Sequence, residues 1–200
     1  MRILASVGPE RLARAIAAID AANAGDSNKL VVAGVERPKE QAHAEMVSEW
    51  VRRLRPDAGE PLLLAARAHH IKRWEIPRES FPDGRQGYLA WRRALHDFHA
   101  AELRKILEAQ GYDELVISRA EAIVHKRNLW TDPDVQALED ALCLVFLEMQ
   151  FDQLAAKLDD AKMIEVLRKT LRKMSEPAKS AALRLPLTSE QRAQLEIALS

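Results

Sequence analysis

The sequence predicts an all-α protein that folds as a compact, single-domain helical bundle. Apolar residues recur at intervals of three and four through most of the chain, which is the period of an amphipathic helix. Glycine and proline lie between these periodic segments rather than inside them, a consistency typical of folded domains. The 200 residues fit one domain, divided into an N-terminal helix and loop (1–37), a core bundle (38–175) and short C-terminal helices (176–200).

The N-terminal part of the chain carries two helical stripes. The first helix is predicted over about residues 9–22, because Leu12, Ile16 and Ile19 share one face and Pro9 suits a first turn. The segment KLVVAGV that follows has the pattern of a short extended stretch, without an evident partner strand. A second helix is predicted over about residues 39–54 and ends before Pro56.

The middle of the chain predicts three more helices. A third helix is expected over about residues 60–74, where the Ile76-Pro77 step begins a loop, since a residue before proline avoids helical geometry. A long fourth helix follows over about 85–110 and is closed by Gly111. The fifth is expected over about 113–127.

The sixth predicted helix, over about residues 131–158, should be the most buried in the fold. Thr131 or Asp132 can cap it, Pro133 suits its first turn, and its middle is apolar all round. Three shorter helices finish the chain, and they are predicted over about residues 160–174, 177–183 and 188–199.

Composition limits the classes of function. Lys plus Arg and Asp plus Glu number 30 each, so the net charge of zero argues against a general nucleic-acid binder. The single cysteine, Cys143, excludes an internal disulfide and favours a cytoplasmic location. The longest apolar run, residues 141–147, is too short to cross a bilayer, so no membrane association is expected.

Three histidines are predicted to point into the bundle. His43 shares a stripe with Trp50, His70 lies one turn before Trp74, and His99 follows Leu95 by four residues. Such rings can hydrogen-bond between helices or bind a metal, and both interpretations remain open at the level of sequence.

Two adjacent carboxylates supply the other half of a candidate site. Glu139 and Asp140 directly precede the most apolar stretch, ALCLVFL, where a buried charge needs a partner, a metal or a shifted pKa. Imidazole and carboxylate together suit a divalent transition metal. We therefore predict a metal site of His43, His70, His99 and Asp140, with His69 and Glu139 as additional candidates.

Basic residues surround the histidine pair at positions 69 and 70 along the chain. They suggest a phosphate-binding site, because arginine offers a fork of paired donors. The predicted phosphate-binding residues are Arg67, Lys72, Arg73 and Arg78. A solvated helix end, whose cations interact favourably with the helix dipole, is the alternative interpretation.

The segment AARAHHIKR resembles a helix end of the HD phosphohydrolase superfamily. Those all-helical proteins have a histidine on an early helix, a His-Asp pair after an apolar run, and a late helical aspartate. This chain offers its histidines and Asp140 in a similar order, although position 70 is histidine where the superfamily has aspartate. The resemblance implies an HD-like bundle and a metal-dependent phosphohydrolase.

A second resemblance covers most of the chain, from about residue 12 to 185. The blocks RPKE, LAARAHHIKRWEIPR, GYLAWR, ILEAQGYD, LEDALCLVFLE and VLRKTLRKMS are similar to the family called domain of unknown function 4202. In that family pattern the first histidine of the pair is often glutamine, which favours His70 over His69 as a ligand and weakens the case for His43. The LEDALCLVFLE block supports Glu139 and Asp140 as a joint feature.

These observations lead to three functional hypotheses. The first is a metal-dependent phosphohydrolase acting on a nucleotide or another small phosphorylated molecule. The second is a non-catalytic helical binding module for RNA or a protein partner, in which the histidines only fasten helices together. The third is an iron-dependent oxidase, which is less favoured because few carboxylates are expected near the histidines, whereas di-iron bundles use Glu-x-x-His pairs.

Overall fold

The computed structural model describes residues 8–32, 34–151, 154 and 157–200. Helices dominate this part of the chain, as the sequence predicts, and the all-α class is confirmed. The α-helices are α1 (Pro9–Asn23), α2 (Lys39–Leu54), α3 (Glu60–Ala68), α4 (Gly84–Ala109), α5 (Glu114–Val124), α6 (Pro133–Met149), α7 (Asp160–Leu171), α8 (Glu176–Ala182) and α9 (Ser189–Leu199). Two short 3-10 turns, Arg73–Glu75 and Arg78–Ser80, lie between α3 and α4.

The segment before α2 forms a β-hairpin that the sequence analysis missed. Strand β1 (Lys29–Val32) pairs antiparallel with β2 (Val35–Pro38). The partner of β1 is the strand that directly follows it in the chain, whereas the sequence analysis had found no partner for this segment. Gly34 has a φ of 79°, and glycine adopts this left-handed turn geometry without steric cost.

Two hydrophobic clusters form the interior. The larger one joins α1 to α6 and contains Val47, Leu62, Leu103 and Ile117. The other gathers the C-terminal helices around the second half of α6 and includes Leu144, Leu167, Ala178 and Leu195. Burial of this apolar surface is the main source of stability for both clusters.

Helix α6 lies between the two clusters. Leu138 and Val145 belong to the larger cluster, whereas Leu144 and Leu147 belong to the other. The helix is therefore apolar on all sides, as its sequence predicts. Its N-terminal cap is Asp132, whose side chain accepts from two backbone amides of the first turn. The predicted extension of this helix to position 158 includes residues 152, 153, 155 and 156, which lie outside the described residues.

The packing of α2, α3 and α4 positions the candidate site. Helix α2 packs against both α3 and α6, and α3 packs against α1 and α5. The long α4 contacts α3 near the turn that follows α3, and it packs along α5. Among the described residues, no helix combines the length and the apolar character that crossing a bilayer requires.

Candidate metal centre

Three histidine rings meet where α2 contacts the end of α3. One ligand nitrogen from each of His43, His69 and His70 lies within 4.8 Å of the other two. The ring centroids of His69 and His70 are 4.3 Å apart, and the His43 ring is 5.1 and 5.2 Å from them. We call these three residues the histidine cluster. Within the described residues, its nitrogens are close enough together to bind one metal ion.

The early end of α3 allows two adjacent residues to reach one site. Successive side chains of a continuous helix diverge by about 100°. Here α3 stops at Ala68, six residues before the predicted end at position 74. Tight turns follow, in which Ile71 N donates to Ala68 O and Lys72 adopts a left-handed φ of 50°. Both rings of the pair therefore face the same site, and His69, which was predicted as an additional candidate, lies there with His43 and His70.

Hydrogen bonds fix the tautomer of His69. Its Nδ1 lies 2.8 Å from the backbone oxygen of Ala66, which can only accept, so Nδ1 carries the proton. In the neutral ring, Nε2 then presents a lone pair, and it lies 3.1 Å from His43 Nδ1. A backbone carbonyl that orients a histidine in this way is the usual support of a metal ligand.

Glu40 adds a buried carboxylate beside the cluster. The residue is 5% exposed, and its Oε2 lies 3.3 Å from His70 Nδ1. Burial raises the Glu40 pKa to about 7, although the charges of Arg73 and Lys39 oppose this increase. The sequence analysis missed this residue. Its signal was present, because Glu40 and His43 on α2 form one Glu-x-x-His motif.

His99 lies beside the cluster rather than within it. Its ring centroid is 5.8 Å from that of His70. Its Nδ1 lies 2.8 Å from the backbone oxygen of Ile71 and therefore carries the proton. The lone pair of Nε2 is buried and has no hydrogen-bond partner among the described residues. His99 was predicted as one of the four metal ligands, and the structure places it next to the histidine cluster.

Burial keeps the imidazole rings neutral. Desolvation lowers the His43 pKa to about 4 and the His99 pKa to about 3. The pKa values of His69 and His70 are also lowered well below the usual 6.5, mainly by burial and then by neighbouring charges. Neutral imidazole is the form that binds a metal, so these rings are ready to act as ligands at neutral pH.

The structure does not bring Asp140 to the histidines. Asp140 is 4% exposed, and its oxygens accept from Ser175 N at 2.8 Å and from Ser175 Oγ at 2.6 Å. Gln136 Nε2 also donates to it at 2.9 Å. The predicted metal ligand instead stabilises the start of α8, since Ser175 is the N-cap of that helix. No sequence pattern indicates this partner, which lies 35 residues further along the chain.

Glu139 is also buried, and its partner is a cation. The carboxylate is 4% exposed and forms an ion pair with Lys126. Lys173 Nζ approaches its other oxygen at 3.4 Å. The sequence analysis required a partner for a carboxylate at this position, and the lysine that follows α5 supplies it. Glu139 is not among the residues whose ligand atoms meet in the histidine cluster.

Two of the predicted phosphate-binding residues form ion pairs with acidic side chains. Arg67 forms a paired contact with Asp20, with Nη2 at 2.7 Å from Oδ2. Lys72 Nζ donates to Glu102 at 2.9 Å. Both cations therefore have protein counterions, and these contacts fasten α1 to α3 and the turn after α3 to α4.

The other two predicted phosphate-binding residues differ from each other. Arg78 donates to the backbone oxygens of Phe81 and Pro82, both at 2.9 Å, so it organises its own loop. Arg73 lies over the ring of Trp91, with its guanidinium carbon 4.8 Å from the ring centroid. Its Nη1 is buried without a hydrogen-bond partner among the described residues. Of the four predicted cations, Arg73 alone is left with an unused donor in the interior of the described structure.

Comparison with known proteins identifies a family. No curated protein and no solved structure matches the chain. The family described as Domain of unknown function (DUF4202) matches residues 13–195, a span that contains the whole histidine cluster and confirms the resemblance seen in the sequence. The resemblance to HD phosphohydrolases stays a prediction. Because the match covers most of the chain, the protein belongs to the DUF4202 family.

Proposed function

We propose that this protein is a metal-dependent phosphohydrolase that acts on a nucleotide or another small phosphorylated molecule. Its divalent transition metal would be held by His43, His69 and His70. The observation that carries the proposal is the convergence of three neutral ring nitrogens within 4.8 Å of one another.

The spacing of the His43 and His69 nitrogens fits a shared ion. Two nitrogens that are each about 2.1 Å from one metal lie about 3.0 to 3.4 Å apart at octahedral or tetrahedral angles. His43 Nδ1 and His69 Nε2 are 3.1 Å apart. Three protein ligands leave a coordination position open for water or substrate, which is the pattern of catalytic rather than structural sites. An ion in that position supplies a bound water that is acidic enough to yield a nucleophile near neutral pH.

Residues around the cluster support hydrolytic chemistry. Glu40, 3.3 Å from His70 Nδ1 and with a pKa raised to about 7, can exchange a proton near neutral pH. The His70 side chain is 21% exposed, so the cluster has contact with solvent.

The proposal includes a cytoplasmic location, which rests on the single, buried Cys143. A small molecule is favoured over a nucleic acid because the net charge is zero.

The test is the metal content of untagged, purified protein, measured by inductively coupled plasma mass spectrometry. We expect about one equivalent of a transition metal, lost in His43→Ala and in His70→Ala. His125→Ala is the matched control, because His125 lies at the end of α5 beside Asp97 and outside the cluster. The metal-loaded protein should then release phosphate from a nucleotide or another small phosphate ester, and the two cluster variants should not. Retention of metal in both variants would contradict the assignment.

A non-catalytic helical binding module for RNA or a protein partner is the second candidate. The same 3.1 Å contact favours it, since that distance is also normal for a hydrogen bond that fastens α2 to the end of α3. A protein that is purified without metal and gains no thermal stability from added manganese, zinc or iron would favour this function.

A further inference from the structure

Arg73 is a cation that contacts no counterion in the part of the chain that the structure describes. Its side chain is half-buried over Trp91, and its Nη1 is inaccessible to solvent. Within the described residues, its guanidinium forms no hydrogen bond and no ion pair. The field of Glu40 favours its charged form, but the two side chains do not pair. Burial lowers the Arg73 pKa, which reflects the cost of keeping this charge away from water.

The other half-buried arginines of the described chain show how unusual this is. All except Arg73 and Arg92 donate to at least one oxygen. Six of them form ion pairs with carboxylates, namely Arg11, Arg37, Arg55, Arg67, Arg104 and Arg119. The remaining two, Arg78 and Arg192, donate to backbone oxygens. The fold therefore supplies acceptors to half-buried arginines as a rule.

Arg92 is the second exception, and it directly follows Trp91, the residue over whose ring Arg73 lies. The charge of Arg92 lowers the Arg73 pKa, so the two guanidinium groups repel each other. The Arg92 side chain contacts His96 Nε2 at 3.3 Å. Two half-buried cations that lack oxygen acceptors among the described residues are destabilising in the free protein. A bound anion would provide the missing acceptors.

Both arginines border the histidine cluster. Arg73 follows His70 by three residues, and Arg73 N donates to His70 O. Arg92 contacts His96, which lies one turn before His99 on α4, and the His99 ring packs 5.8 Å from that of His70. In keeping with this position, the charge of Arg73 lowers the pKa of His43, His70 and His99. An anion held by the two arginines would therefore lie next to the proposed metal.

We propose that Arg73 and Arg92 form an oxyanion subsite that binds the phosphoryl group of the substrate beside the histidine cluster. This inference rests on the proposed function for the identity of the substrate, and it deepens that function by naming the residues that select a phosphate. Arginine suits this task because its planar fork can donate two parallel hydrogen bonds to phosphate oxygens. Neither Arg67, Lys72 nor Arg78 takes part, since their donors are already engaged.

In this proposal, the rest of the ligand occupies a surface groove that Arg92 lines. Arg92 lines a groove of about 400 Å³ together with Tyr88, Lys169 and Lys173. Tyr88 is 47% exposed, and its ring packs against Trp91 at a centroid distance of 5.8 Å. The groove thus combines positive charge with an aromatic side chain, a combination that suits an anionic ligand with a flat ring system.

The experiment is calorimetric titration of the full-length protein with inorganic phosphate at constant ionic strength, before and after treatment with EDTA. We expect Arg73→Gln and Arg92→Gln each to weaken phosphate binding at least tenfold. Arg93→Gln is the matched control, because Arg93 is the exposed neighbour of Arg92 on the same helix, and it should bind phosphate like the wild type. Acetate in place of phosphate should bind at least tenfold more weakly to the wild type.

Thermal unfolding supplies a second readout. If the arginines lack a counterion, the melting temperature of ligand-free Arg73→Gln should not fall, while the increase produced by phosphate should disappear. Arg73→Lys, which keeps the charge but not the fork, is the variant to use if Arg73→Gln fails to fold, and it should weaken phosphate binding three- to tenfold. All variants should keep the metal content of the wild type.

The outcomes separate this inference from the proposed function. Phosphate binding that depends on Arg73 and Arg92 and persists without metal would support the subsite even if the histidines hold no ion. Equal weakening by Arg93→Gln, equal binding of acetate, or unchanged phosphate binding in both arginine variants would each overturn it.

Discussion

His43 Nδ1 and His69 Nε2 lie 3.1 Å apart, and a third atom decides which of them carries the proton. His69 Nδ1 donates to Ala66 O, so the neutral His69 ring can only accept at Nε2. In the metal-free protein, His43 Nδ1 must therefore be the donor. A metal that binds both nitrogens requires the His43 proton to move to Nε2 of the same ring.

This relationship predicts a change of tautomer when metal binds. In ¹⁵N NMR spectra of histidine-labelled, EDTA-treated protein at pH 7, His43 Nδ1 should have the shift of a protonated nitrogen. After one equivalent of zinc it should have the shift of a metal-bound nitrogen, and Nε2 should become protonated. The ring of His125, which lies 3.6 Å from Asp97 and outside the cluster, should not change. Persistence of the proton on His43 Nδ1 in the presence of zinc would show that this pair is a structural hydrogen bond.

The buried histidines predict that the metal-free protein loses stability on mild acidification. Burial holds the pKa of His43 and of His96 at about 4 and that of His99 at about 3, against 6.5 in an unfolded chain. Between these values the unfolded state binds more protons, so the free energy of unfolding falls as the pH falls. Each such ring contributes a slope of up to about 1.4 kcal/mol per pH unit.

Glu40 has the opposite effect and provides the control. Its pKa is raised from 4.5 to about 7, so its contribution to stability is present below pH 4.5 and is lost as the pH rises through 7. Glu40→Gln should therefore make the loss of stability between pH 6.5 and 4.5 steeper. Urea unfolding in the presence of EDTA measures both slopes. A free energy of unfolding that does not change between pH 6.5 and 4 would show that the rings are not buried in their neutral form.

Asp140→Ala should reduce stability without removing the metal. The substitution leaves Ser175 N and Ser175 Oγ without the acceptor that they use at 2.8 and 2.6 Å. Loss of hydrogen bonds to a buried charged group costs about 2 to 3 kcal/mol, which urea unfolding can resolve. Ser175→Ala removes only the hydroxyl contact and should cost less. If Asp140→Ala lost metal at unchanged stability, the aspartate would be a ligand after all.

Glu139→Gln should be more destabilising than most substitutions outside the cores. It leaves the Lys126 ammonium largely buried and without a charge partner, and breaking such a pair costs about 3 kcal/mol or more. The double variant Lys126→Met with Glu139→Leu should recover most of the lost stability, because it buries no charge. Lys173→Ala should have little effect, since the Lys173 side chain is 53% exposed. A double-mutant cycle with no coupling between positions 126 and 139 would contradict this pairing.

Helical periodicity was sufficient to locate most of the elements. The second helix spans Lys39–Leu54 as predicted, because an amphipathic stripe and its proline-glycine boundary are local properties. The apolar character of α6 likewise indicated its central position. The end of α3 and the hairpin of β1 and β2 could not be located in the same way, since a left-handed residue at Lys72 and a strand pairing across Gly34 leave weak sequence signals.

The candidate site was only partly visible in the sequence. His43 and His70 were predicted as ligands from their helical faces, and the structure brings them together with His69. Asp140 was expected to complete the set because a buried carboxylate needs a partner. Several partners satisfy that requirement equally well, and Ser175 is the partner in the fold. Glu40 was overlooked although its motif was present.

The sequence by itself determined the class of the fold, the positions of most helices and the identity of the residues that must be buried. These features follow from local propensity and from the period of apolar residues, which each segment carries on its own. The tertiary structure decided which polar groups meet. It brought His43 of α2 to the turn after α3, and among the described residues it left Arg73 and Arg92 without oxygen acceptors. Contacts of this kind depend on how helices far apart in sequence pack, and that is a property of the whole fold.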